Sequence, residues 1–349
     1  MTQARKNGRT PISRRLVLAG AATASLGATL GISGAVRAQQ RRKMLKPLVA
    51  GLNSKPGDPT YESIAKIAQI LRDKHNVDVE IQVHPSSVLG SDTQQIEAVQ
   101  TGFIDITSNV TAQFSSFSDA FSFVDLPYAI TSWDMYKRLL GSDLWKQQTA
   151  KFEAKVPLKV LPPVGAGGFR ILWNNKRETP TPQAVNGLKY RTTNSQLEIA
   201  LIRSWGGNPT PMAWTETYNA LSNGVVDGIH VQPIWTYGFN MHEVLKYGTE
   251  VNAIFAVQFQ VMNMNTWKSM PPDIQQAFWA AATEAADAAN EADRNSEGEF
   301  KKKLTGAGMK IHTPSVEEAK SWQKVGEETW DSVGKNIDRD VMKSMMALR

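Results

Sequence analysis

Cysteine is missing from all 349 residues, which excludes disulfides, thiolate metal sites and a thiol nucleophile. Histidine is scarce. The five, His75, His84, His230, His242 and His312, include no two at the helical spacing that holds a metal ion. The motifs His-Glu-x-x-His, Gly-x-Ser-x-Gly, the phosphate loop Gly-x-x-x-x-Gly-Lys-Ser/Thr and Gly-x-Gly-x-x-Gly are absent, so no cofactor is implied and no catalytic group announces itself. The chain also lacks a real basic surplus. Its formal charge of +6 comes from the first 38 residues, which hold six of the 39 Lys and Arg and none of the 33 Asp and Glu. From residue 39 onward the two signs balance at 33 of each, so the basic footprint that nucleic acid requires is absent.

Those first 38 residues read as an export signal. Arg5, Lys6, Arg9, Arg14 and Arg15 form a positive leader, and an apolar stretch rich in Gly, Ala and Ser runs from Leu16 to Val36. Val36-Arg37-Ala38 supplies a small-residue cleavage site. Ser13-Arg14-Arg15-Leu16-Val17-Leu18 fits the twin-arginine signal, whose cargo crosses the membrane folded. The other reading is an anchor that stays attached. No later segment is apolar enough to span a bilayer, and the expected location is the periplasm.

The rest alternates strands and helices. Leu48 to Leu52 predicts a strand, Thr60 to Lys74 a helix, Val77 to Val83 a strand, Asp92 to Val99 a helix capped by Ser91 or Asp92, and Phe103 to Thr107 a strand. This rhythm predicts a parallel, doubly wound sheet, with ligands at the carboxyl ends of its strands. A helix over Trp133 to Thr149 comes next, then strands at Leu158 to Leu161, Phe169 to Trp173 and Gly187 to Thr192, and a helix over Ser195 to Ser204 stopped by Gly206-Gly207. From Pro271 to Leu304, Ile274, Phe278, Ala281, Ala285 and Ala288 share one face of a long helix, which either spans two lobes or packs within one. Met309 to His312 reads as a strand and Val316 to Ile337 as a closing helix.

Two arginines carry the chemistry. Arg170 and Arg191 sit in strand-like runs, and a guanidinium is shaped to grip a carboxylate through two parallel hydrogen bonds. The pair implies an anion clamp for a small organic acid, although Arg170 could instead brace its own half of the protein. Trp214 is either core or a wall of the ligand site, while Trp173 and Trp235 read as packing residues that give the pocket an apolar end. Asn53 and Asn109 fall at strand ends, where cleft residues belong but turn formers are also common. Asp92 is a candidate contact with a competing role as a helix cap.

Taken in order, the blocks Pro85-Ser86-Ser87-Val88-Leu89-Gly90, Leu126-Pro127-Tyr128, Gly187-Leu188-Lys189-Tyr190-Arg191, Asn208-Pro209-Thr210-Pro211-Met212, Tyr218-Asn219-Ala220-Leu221 and Gly224-Val225-Val226-Asp227-Gly228 resemble the DctP family of substrate-binding proteins that serve tripartite ATP-independent periplasmic (TRAP) transporters. The resemblance implies an α/β, two-lobed periplasmic-binding-protein fold with a long helix spanning both lobes. Residues 45–167 with 257–296 would form lobe I, and 168–256 with 297–349 lobe II. It implies that Arg191 makes the bidentate ligand contact, that Arg170 supports the same carboxylate, that Asn194 supplies a nearby polar group, and that Trp214 lies against the ligand. The partners implied are a small carboxylate and the transporter's membrane subunits. Where many members read Val-Asp-Gly-Gln-Glu-Asn-Pro, this chain reads Val226-Asp227-Gly228-Ile229-His230-Val231-Gln232-Pro233, so Gln232 or His230 stands in at that corner. Ser108-Asn109-Val110 replaces a segment where members that take sugar acids can place a carboxylate, which disfavours such a ligand. A folded-exported cofactor enzyme and a binding protein for an ABC importer or a sensor are the competing functions.

Overall fold

The computed structural model describes residues 46–333 and 337–349, with the backbone of Arg42–Lys43. The export signal therefore lies outside the described residues, as do residues 334–336 near the end of the predicted closing helix. Two mixed sheets organise the rest. The first has five strands in the order Ile81–His84, Leu48–Leu52, Ile106–Val110, Gln258–Asn263, Leu158–Val160. The second has six, in the order Lys310–His312, Tyr247–Thr249, Ile171–Asn174, Gly228–Val231, Lys189–Thr192, Asn208–Pro211.

In the first sheet the three strands of the early βαβαβ rhythm are parallel, as expected. Gln258–Asn263, late in the chain, runs antiparallel to both of its neighbours. The third parallel strand begins at Ile106 rather than Phe103, whose side chain is 80% exposed. The predicted helix over Thr60 to Lys74 is two, Pro59–Ala65 and Ile67–His75, and that from Trp133 is also two, Trp133–Gly141 and Asp143–Lys155.

The helix Pro272–Gly306 runs for 35 residues, about 52 Å at 1.5 Å per residue. Ile274, Phe278, Ala281, Ala282 and Ala285 pack with Leu48, Leu52, Ile64 and Leu71 beside the first sheet. Leu304, near the other end, packs with Ile171, Trp173 and Ile229 of the second. It therefore spans both cores. Alanine dominates its buried face because small side chains let the helix lie close to its neighbours.

The chain passes between the sheets at residues 161–170, which leave the first, and 250–257, which return to it. The two passages are bridged at Phe169 with Phe255, and Val164 pairs with Gln258 where the returning strand begins. Gly167 lies in this crossing at φ +89°, and a Cβ there would meet Ile234 at 2.4 Å, so only glycine fits. After Lys310–His312 the helix Val316–Glu327 packs on the second sheet through Trp322, and Arg339–Met346 returns to the first core through Met345. Among the described residues no helix is long and apolar enough to cross a membrane.

Candidate functional site

Both sheets direct the carboxyl ends of parallel strands at one narrow cavity of about 40 Å³. Asn53 follows Leu48–Leu52 and Val110 ends Ile106–Val110 on one side; Arg191 lies near the end of Lys189–Thr192 and Val231 ends Gly228–Val231 on the other. Arg170 joins them because it precedes Ile171–Asn174, which pairs antiparallel with Gly228–Val231 so that Ile171 opposes Val231.

Arg191 is 5% exposed. Its Nε and Nη2 both donate to the Met212 carbonyl, at 3.2 and 3.0 Å. That single acceptor occupies the side edge of the guanidinium and leaves the end fork of Nη1 and Nη2 for a bidentate anion. The guanidinium carbon lies 5.6 Å from the centre of the Trp214 ring, within cation–π range. Among the described residues Arg191 has no ion-pair partner. Burial lowers its pKa, opposed by Glu198 and Asp92 nearby, but arginine stays charged.

Arg170, equally buried, is committed internally: its Nη1 donates to Glu198 Oε1 at 2.8 Å. Thr193 donates to the other Glu198 oxygen through its backbone N at 2.9 Å and its hydroxyl at 2.5 Å. Burial pushes the Glu198 pKa up, but both arginines and Thr193 outweigh it and hold it below the usual carboxylate value. Asp125, which accepts from the Thr111 hydroxyl at 2.6 Å, lies within electrostatic reach of this pair, and burial pushes it up to about 7. His230 is buried edge-on to Trp205, and among the described residues neither ring nitrogen has a hydrogen-bond partner. Burial, with Arg170 nearby, pushes it down to about 3, so it is a neutral imidazole at physiological pH.

The facing wall is polar and interlocked. Asn53 donates to Asp92 Oδ1 at 3.1 Å and to Asn109 Oδ1 at 3.4 Å, and accepts from Gln258 Nε2 at 2.9 Å. Gln113 holds the second Asp92 oxygen at 2.9 Å. Burial raises the Asp92 pKa, against Gln113, Arg191 and Asn53. Asp92 is not the helix cap. Ser91 is, and Asp92 occupies the first helical position with its carboxylate turned to the cavity. Trp214 and Trp235 supply the apolar end, ring edge to ring face at 5.3 Å, with Phe239 stacked on Trp235 at 5.3 Å.

Of the residues expected from sequence, Arg191, Arg170, Trp214, Gln232, Asn53 and Asp92 line the cavity, with His230 beside Gln232. Asn109 is fully buried behind them, where it orients Asn53. Asn194 is exposed and outside the lining; its neighbour Thr193 lines it instead. Trp235, read as packing, reaches the cavity as well. Sequence reasoning missed Glu198, Gln113 and Gln258. An acidic residue in the first turn of the helix after Arg191 was the available signal for Glu198. A larger cavity of about 560 Å³ lies between Trp133 and the long helix, but it carries none of these groups. Among the described residues no cluster of three or more His, Asp or Glu could hold a metal.

The model of the family "Bacterial extracellular solute-binding protein, family 7" (DctP) matches residues 50–336. The C4-dicarboxylate-binding periplasmic protein DctP of Rhodobacter capsulatus is 26% identical over 326 residues, covering 92% of this chain and 97% of that protein. A TRAP periplasmic solute-binding protein of Sulfurospirillum deleyianum, solved with bound succinate, superposes with a TM-score of 0.82 at 24% identity, covering 88% of this chain and 100% of the other. Its counterpart from Citrobacter koseri, solved with bound D-glucuronate, gives 0.81 at 22% identity, covering 87% and 100%.

Proposed function

The chain belongs to the DctP family of bacterial extracellular solute-binding proteins, and from that premise we propose that it captures a small carboxylate on Arg191 and delivers it to the membrane subunits of a TRAP transporter. The observation that carries this reading is a guanidinium 5% exposed at a cavity, with its end fork unpaired among the described residues. A buried charge of this kind favours an anionic guest, because pairing offsets the desolvation of the guanidinium. The cavity lies between the two sheets, so two lobes built on them close over the acid as it meets Arg191. The twin-arginine leader exports the folded chain to the periplasm, where its relatives act. Arg170 supports the site through Glu198 and Thr193 rather than as a free second clamp.

Arg191→Ala is expected to weaken binding of the native acid by a few hundred-fold or more, about 3 to 5 kcal/mol, because the ligand carboxylate would be buried unpaired. Isothermal titration of both proteins checks it. Retention of affinity within about threefold would remove Arg191 from the site.

A further inference from the structure

The charges at the cavity, which rest on the carboxylate reading for their meaning, sharpen it to a ligand class. Arg170 and Arg191 contribute two positive charges and Glu198 one negative, leaving a surplus of one. His230 adds none, being neutral. Asp92, whose two oxygens accept from Asn53 and Gln113, is the one acid in the lining, and its ionisation would reduce the surplus further, so one positive charge is the most the site offers an anion.

A single ligand carboxylate on the Arg191 fork cancels that surplus. A second would be buried with no cation to receive it, and across the cavity it would meet Asp92, whose two oxygens are held by Asn53 and Gln113. The rest of the lining is uncharged. Trp214, Val110 and Val231 present apolar surface, the Asn53 amide is already committed to Asp92, Asn109 and Gln258, and the neutral polar groups left are Gln232, His230 and the Trp235 indole nitrogen, the last two without hydrogen-bond partners among the described residues. These few neutral groups can serve one or two hydrogen bonds of a ligand, but not the several that a polyhydroxylated chain needs to replace its water.

We propose that the ligand is a monocarboxylate whose remainder is uncharged and mainly apolar, a branched or aromatic short-chain acid, rather than a dicarboxylate or a sugar acid. The unpaired arginine selects the anion and the indole wall selects the tail. Selectivity comes from what the cavity withholds, namely a second cation free of a counter-charge and enough polar groups for several hydroxyls.

Titration calorimetry of the purified protein, backed by thermal shift, tests it with phenylacetate, 4-methyl-2-oxopentanoate, succinate, D-glucuronate and the uncharged phenylacetamide. At least one of the two monocarboxylates is expected to bind tenfold or more tightly than succinate and D-glucuronate, with no binding of phenylacetamide. Succinate or D-glucuronate binding as tightly as the monocarboxylates would overturn this inference and leave the carboxylate reading standing. Phenylacetamide binding as tightly as phenylacetate, or no acid binding at all, would overturn both.

Discussion

Arg170 and Arg191 are buried to the same degree and line one cavity, yet among the described residues only Arg170 is paired with a carboxylate. Arg170 has Glu198 at 2.8 Å; Arg191 has a backbone carbonyl and an indole face. The carbonyl takes hydrogens but brings no full charge, so Arg191 keeps its electrostatic demand while Arg170 has largely met its own. Burial of a cation does not by itself mark a ligand site. The absence of an internal counter-charge does.

The largest effect that would break this contrast is on stability. Arg170→Ala should cost about 3 to 5 kcal/mol of unfolding free energy, because Glu198 would be left buried without its cation, whereas Arg170→Met combined with Glu198→Leu should cost much less. Denaturant unfolding of the three proteins decides it. If the single and double variants are equally destabilised, the two side chains do not act as a unit.

Next comes pH. The folded chain holds the Asp125 proton up to about pH 7, against 3.8 for an ordinary aspartate, so folding binds a proton in that window. Its contribution is full below about pH 4 and is lost as pH rises through 7. Glu198 has the opposite sign: its depressed pKa gives stability present above the usual glutamate value and lost as pH falls through its folded pKa. Stability measured from pH 4 to 8 should therefore decline less steeply in Asp125→Asn than in the parent. An unchanged slope would place the titration elsewhere, Asp58 being another carboxyl that burial raises, to about 6.

The smallest expected effect lies beside the cavity, in a hollow of about 300 Å³ that Lys55, Phe239 and the shared Trp214 line. Lys55, from the loop after the first strand of the five-stranded sheet, donates to the Gly238 carbonyl at 2.6 Å and sits 4.2 Å from the Phe239 ring centre. Lys55→Ala should speed ligand release about two- to threefold with little change in association, as one exposed hydrogen bond allows. Stopped-flow displacement reads both rates, and a tenfold change would mean that this contact holds the site shut.

Much of the fold was legible because local periodicity and tertiary burial agree in it. The opening strands and helices, Leu48–Leu52 and Lys189–Thr192 among them, stand close to where their apolar spacing put them. Gln258–Asn263 escaped notice. Its Gln258, Gln260 and Asn263 look like surface residues, yet all are buried and hydrogen-bonded, to Asn53, Ser63 and Val99 among others. Phe103 misled in the other direction, an apolar side chain left in solvent before its strand begins. At the cavity, the presence of Arg191 was legible from residue type and motif. The commitment of Arg170 was not, since Glu198 meets it only through the packing of a helix onto the sheet.

The polypeptide travels between its two sheets repeatedly: at 161–170, at 250–257, along the helix Pro272–Gly306, and after the helix Val316–Glu327, where Trp330 and later Met345 pack on the first core. Severing one peptide bond in any one passage would thus leave the halves tethered by the others. A protease that nicks a single crossing should yield two fragments on a denaturing gel but one particle in native chromatography.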